Sequence, residues 1–546
     1  MITSNQKSAN KNTNENKSVN NHSYEDGSSN DLTLISGALL LMADCLGTGI
    51  LALPHDVQVL GPVWGISFII LNLPINWYAG TILSNVAQKV EDLFQYNTIQ
   101  SNITDNTTLE IDSNQNDKNG DLELITPTQL NSPEQISNEE GGDSVIDKST
   151  YDFIGLTNAL FLPSPSSPSN QSSPTRSHAS TIVTSVFYCN IFLVLGNYIL
   201  VMSHAVRALI GESNICMPQA GLVAATLMFA LSQMSTMSKL GQWATIVSLT
   251  SLFIVVLQCL YAANANDVVS IPSMEIQTEP HSILRKFAAL SSIGFAVGSQ
   301  KLFLNIRHEM RDKSQAPFSL GICLLAFGSC YVLVCLLAGS SKFNQLDQPL
   351  FFVQFLKLHF LLSSCKICSD PPGFLFDAIP KTSFWNRRIG GFFLWLHVAV
   401  SYAINSQAIN SSIDRTLFHR TKFLNLAEMP RTRWLILTLL TSISSYLVAN
   451  AIPFFKDLVS FIGALTSVPL TLLLPSILFR RGMLMSDDDR FYYLWFVKSW
   501  SDPRDVGSFL LTVFSIVFML CGMVGAFYSI ETDWARRHSP PFACEG

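Results

Sequence analysis

Long apolar runs alternate with short polar links along most of this chain, and most of the runs are as long as a lipid-spanning helix requires. The first extends from Leu32 to Leu53; after a Gly61-Pro62 turn, the second covers Val63 to Val86. Others fall at Ile182 to Ile210, Ala220 to Met234, Gln242 to Ala262, Leu284 to Leu304 and Leu320 to Ala338. The last four are Ile389 to Ile413, Trp434 to Ala449, Leu458 to Phe479 and Val506 to Ile530. The pattern predicts an all-α multi-pass membrane protein with eleven transmembrane helices. The patches Phe153 to Leu162, Pro349 to Leu362 and Phe491 to Val497 are too short to span and are expected at the lipid headgroups.

Polar tracts set the domain boundaries. Residues 1–31, rich in Asn, Ser, Lys and Glu, are expected to form a disordered cytoplasmic tail without a cleavable signal sequence. Transmembrane helices 1 and 2 occupy 32–88, and residues 89–180 form a polar insert expected to be disordered. Helices 3 to 11 occupy 181–530, followed by a tail at 531–546. Lys and Arg collect in alternate links: Arg307, Arg311 and Lys313, then Arg415 to Arg433, then Arg480 to Arg504. The positive-inside rule places these links, the N-terminus and the insert in the cytoplasm.

Composition narrows the class. The 546 residues are 48% hydrophobic and 14% charged, and the mean hydropathy is +0.29 despite the polar tracts. A net charge of −6 gives no support to nucleic-acid binding. The 11 cysteines show no paired metal-ligand spacing; Cys365 and Cys368 stand alone. Neither a cofactor nor an enzymatic activity is expected, because no catalytic pair lies within the spans.

Two spans carry helix-breaking interruptions. In the first, Gly47-Thr48-Gly49 follows Asp44 by one turn. Each glycine costs about 1 kcal/mol against alanine in a helix interior. Freed backbone groups are tolerated at bilayer depth only inside protein or beside a cavity. In the sixth span, Ser291-Ser292-Ile293-Gly294 leads to Gly298-Ser299-Gln300. Matching interruptions in two halves of a chain point to a transporter site; the alternative is a pair of small-residue packing surfaces. Asn305 to Lys313 reads as the solvated end of the sixth span, and His55-Asp56 as part of a solvated mouth.

The run Gly47-Thr48-Gly49-Ile50-Leu51-Ala52-Leu53-Pro54 resembles the first-span signature of the amino acid/auxin permeases. Phe295-Ala296-Val297 with Arg307-His308-Glu309-Met310-Arg311-Asp312 is similar to that family's sixth span, and Ile452-Pro453-Phe454-Phe455 through Pro475 to its tenth. The resemblance covers about 34–88 and 181–530. It implies the inverted five-plus-five repeat of the bacterial leucine transporter type plus one extra helix. It also implies secondary transport of amino acids coupled to H⁺ or Na⁺.

On that basis the substrate carboxylate is expected at the amides of Gly47, Thr48, Gly49 and Ile50 and the Thr48 hydroxyl. The ammonium is expected at carbonyls near Leu46 and at Phe295, Ala296, Gly298 and Ser299. Tyr198 matches a tyrosine common in the family's third span and either closes the pocket or packs between helices. Ala43 stands where sodium-coupled members carry asparagine, and Gln300 where many carry histidine. Sodium would use carbonyls of Ala43 and Leu46 with Ser401 or Asn405. A proton would use Asp44, whose alternatives are wetting by the outer or inner vestibule and a structural bond to His204 or His397. The absence of Arg and Lys from the broken regions disfavours an acidic side chain, Phe295 and Tyr198 allow a neutral or aromatic one, and a neutral substrate is expected. A monomer in the plasma membrane or a vacuolar or lysosomal membrane is expected. An amino acid sensor that moves little substrate is the alternative function.

Overall fold

The structure, a computed structural model, describes residues 32–113, 153–161, 178–233, 237–265, 282–298, 302–338, 371–418, 430–484, 501–536 and 541–544. The expectations for residues 1–31 and for the Pro349 and Phe491 patches lie outside them, as do Cys365, Cys368, Ser299 and Gln300.

All named elements are helical. The first span is interrupted. Helix α1 (Leu34–Cys45) starts at Thr33, whose hydroxyl accepts the Ser36 amide at 3.3 Å. A single 3-10 turn, Thr48–Leu51, leads to α2 (Leu53–Leu60). Gly61, at φ 93°, ends α2 in a conformation that costs glycine little, and α3 (Pro62–Ser113) begins at once. Then come α4 (Phe153–Phe161), α5 (His178–Ile210), α6 (Met217–Leu231) and α7 (Met237–Ala265). The sixth span is also interrupted, as α8 (Ile283–Val297) and α9 (Phe303–Glu309). The remainder are α10 (Ala316–Ala338), α11 (Phe384–Phe418), α12 (Pro430–Ala451), α13 (Phe455–Met483) and α14 (Pro503–Arg536). Among the described residues, eight helices are long and apolar enough to cross a membrane. The protein is therefore a multi-pass, all-helical membrane protein.

Packing brings distant spans together. Helix α5 lies against α11, α12 and α6, and α7 packs on α11 and α1. Helices α1 and α3 pack on α10, while α8 is held by α14, α13 and α2. At Gly463 in α13 a Cβ would stand 2.1 Å from the Ser291 carbonyl oxygen, so only glycine permits this approach to α8. Ser291 and Ser460 seal the contact by donating to the Ser460 and Ala288 carbonyls at 3.0 and 2.7 Å. Bonds between buried hydroxyls and backbone supply attachment where lipid removes much of the hydrophobic drive.

Three expectations need correcting. Helix α3 does not end near residue 88; it continues to Ser113, so the first part of the polar insert is helical. The Phe153 patch is a packed helix rather than an exposed anchor. Phe153, Leu156 and Thr157 are buried as α4 packs on α5 and α3. The charged run from Asn305 to Lys313, which begins inside α9, is not simply a solvated end. Arg307 is 1% exposed and bonds Glu91 at 2.7 Å, Gln88 at 2.8 Å and Ser84 at 3.1 Å, all on α3. Nearby, the Arg311 amide donates to the Leu32 carbonyl at 3.1 Å and ties the start of α1 to the exit of α9.

Candidate functional site

The two interruptions touch. Thr48, Gly49 and Ile50 are buried in the 3-10 turn, and a Cβ at Gly49 would stand 3.0 Å from the Ala296 Cβ. The Phe295 ring lies 3.6 Å from the same point. Gly298 ends α8, with Thr471 of α13 against it. The structure thus brings together Gly47 to Ile50 with Phe295, Ala296 and Gly298, residues some 250 positions apart in the chain.

Chain direction sets the electrostatics. The C-terminal ends of α1 and α8 converge here, and helix C-termini carry unsatisfied carbonyls and partial negative charge. The N-terminal ends of the second half-helices bring amide donors. The hydroxyl of Tyr331, buried on α10, lies 2.9 Å from the Cys45 carbonyl oxygen and 3.1 Å from that of Ala296. It spans both breaks. Asn197 on α5 donates to the Thr48 hydroxyl oxygen at 2.8 Å, which leaves the Thr48 proton free to donate onward. The Asn197 Oδ1 is buried without a partner. Such a site has acceptors for an ammonium or cation on one side and donors for a carboxylate on the other.

Tyr198 is also buried, 2% exposed, next to Asn197 on α5. Ala43 and Leu46 are buried at the end of α1. Ser401 and Asn405 are buried on α11, where they donate to carbonyls one turn earlier, of His397 at 3.3 Å and Ser401 at 3.0 Å. Asp44 belongs to α1, but its side chain lies outside those described. The histidines considered for it have other neighbours: His204 stacks near the Phe374 ring at 4.9 Å, and His397 bonds Ser248 of α7 at 2.8 Å. Among the described residues no group of three or more His, Cys, Asp or Glu is arranged for a metal ion.

Sequence reasoning missed Tyr331, Asn197 and the placement of Asp56. Asp56 is not at a solvated mouth: it is 4% exposed, and Ser292 of α8 donates to its Oδ2 at 2.5 Å. A polar residue inside an apolar run is the one signal for Tyr331 and Asn197, and it does not say which helix it meets. Further along the α5 side, Glu212 bonds Arg387, and Lys381 stands 3.1 Å from it. Burial pushes the Glu212 carboxyl up, but the Lys381 and Arg387 contacts outweigh it and hold it below its ordinary range.

These features define a polytopic helical protein with a polar site at the junction of two broken helices. The sequence pattern of the transmembrane amino acid transporter proteins matches residues 175–341 and 371–530. The chain belongs to that family. The matched segments contain α8, α9 and α10, while α1 to α3 precede them. A comparison with curated proteins finds no match.

Proposed function

We propose that the protein is a secondary active transporter that moves neutral amino acids across a membrane, driven by H⁺ or Na⁺. The observation that carries this reading is the contact of the two interruptions, bridged by the Tyr331 hydroxyl between Cys45 and Ala296. The substrate ammonium takes the carbonyl side, near Leu46 and Phe295 to Gly298. Its carboxylate takes the amides of Gly47 to Ile50 and the Thr48 hydroxyl. Neutral donors hold the anion without a buried cation, so release needs no ion pair to break.

Counting α1/α2 and α8/α9 as one broken span each, and α6 as a short one, gives eleven crossings, consistent with the inverted five-plus-five arrangement plus one. The N-terminus then lies in the cytoplasm. The disulfide between Cys216, before α6, and Cys544 supports this, since it joins two points on the opposite face and requires an oxidising compartment. The plasma membrane and a vacuolar or lysosomal membrane both satisfy that requirement.

The test is uptake of a radiolabelled neutral amino acid panel into proteoliposomes under an imposed pH or Na⁺ gradient. Accumulation under either gradient is expected. Binding by folded protein without flux under both gradients favours the sensor.

A further inference from the structure

Asp56 has no place in the substrate contacts just described. It is a carboxyl group closed off from water at the seam between α2 and α8, where the second half of one broken span meets the first half of the other. Ser292 donates to its Oδ2. Its Oδ1 stands 3.8 Å from His55 Nδ1, which is buried and has no hydrogen-bond partner. The His55 side chain is 28% exposed, against 6% for Asp56, so the imidazole reaches solvent where the carboxyl group does not.

Among the described residues, Lys456 and a protonated His55 are the cations whose charge acts on this carboxyl group. Lys456 at the start of α13 is near, but its ammonium pairs with Asp533 at 2.9 Å. Helix α10 contributes the Cys335 thiol. The facing part of α3, from Pro62 to Trp77, contains no charged residue. A charged carboxylate here bears a desolvation cost that its protonated form does not.

We propose that His55, Asp56 and Ser292 form the proton-coupling site of this transporter, an inference that rests on the transport reading above. A proton from the solvent side binds His55 and passes from Nδ1 to Asp56 Oδ1. The imidazole returns to neutral, and the carboxylate becomes a carboxylic acid. The neutral acid keeps its bond with Ser292 at no charge-burial cost, so protonation favours the state with α2 closed on α8. Loss of the proton to water favours the state in which this seam is wetted. Protonation therefore biases a two-state element that also carries the substrate site.

The test compares wild type, Asp56→Asn and Ser292→Ala. One proton per substrate moving down one pH unit supports about tenfold accumulation. Asp56→Asn is expected to lose this accumulation and to retain substrate exchange at equal pH. Accumulation like wild type, or joint loss of exchange and accumulation in folded protein, overturns the proposal. Infrared difference spectra of purified protein give a readout that needs no transport. Acidification is expected to raise a carboxylic acid C=O band in wild type that Asp56→Asn lacks. In Ser292→Ala the band midpoint is expected at higher pH, because the charged form has lost a donor. No Asp56-dependent band, or an unmoved midpoint in Ser292→Ala, also overturns it. A wild type that moves no amino acid under any gradient refutes the transport reading instead, and the spectra still decide whether Asp56 titrates.

Discussion

Tyr331 shows how much one hydroxyl can organise. Two buried backbone carbonyls, one from each broken helix, share it. Tyr331→Phe keeps the ring and leaves both carbonyls short of a donor, at about 1–3 kcal/mol for an unsatisfied buried group. Substrate affinity in uptake assays is expected to fall by roughly tenfold or more. Asn197→Leu removes both the bond to Thr48 and the unpartnered oxygen beside it. It is expected to raise KM for uptake with little change in the amount of folded protein, as judged by gel filtration. Neither residue was legible as a contact in the sequence. A tyrosine in an apolar run announces a polar atom, but its partner Cys45 lies 286 positions away.

At the scale of elements, the breaks themselves were readable and the seams around them were not. Gly47-Thr48-Gly49 interrupts helix propensity directly, so the end of α1 could be anticipated from backbone physics alone. Arg307 could not: charges after an apolar span read as solvated, and Glu91 comes 216 positions earlier. The insert hid the length of α3 in the same way, because Asn, Thr and Asp are poor helix formers. The Arg307–Glu91 pair gives a test of how α9 is held to α3. Arg307→Met leaves a buried carboxylate with Lys313, 3.3 Å away, as its remaining cation. Breaking such a pair costs about 3–5 kcal/mol, whereas replacing both partners by apolar residues is often near neutral. Thermal denaturation in detergent is expected to show a large loss in Arg307→Met and a partial recovery in Arg307→Met with Glu91→Leu. Likewise Gly463→Ala is expected to cost about 1–3 kcal/mol, since α13 must retreat from α8 to admit one methyl group.

Over the whole molecule, a disulfide and a set of ion pairs mark one face. Membrane-impermeant maleimide added from the non-cytoplasmic side is expected to label Cys216 and Cys544 only after reduction. Labelling from the cytoplasmic side would reverse the orientation. The same face holds Glu212 with Lys381 and Arg387. A carboxyl group held below its unfolded value stabilises the fold above that value, about pH 4.3 for glutamate. The contribution disappears as pH falls through the lower folded value. Thermal stability is therefore expected to drop on acidification below about pH 4, and Glu212→Gln to lose part of that dependence. Helix α3 belongs to this scale as well. Its apolar run ends at Val86 and the helix at Ser113. The 27 residues that follow, at about 1.5 Å each, make a mast of about 40 Å, more than one bilayer core in height. A fluorophore or antibody fragment attached at its tip would stand clear of a detergent micelle, giving a largely submerged protein a landmark for particle alignment.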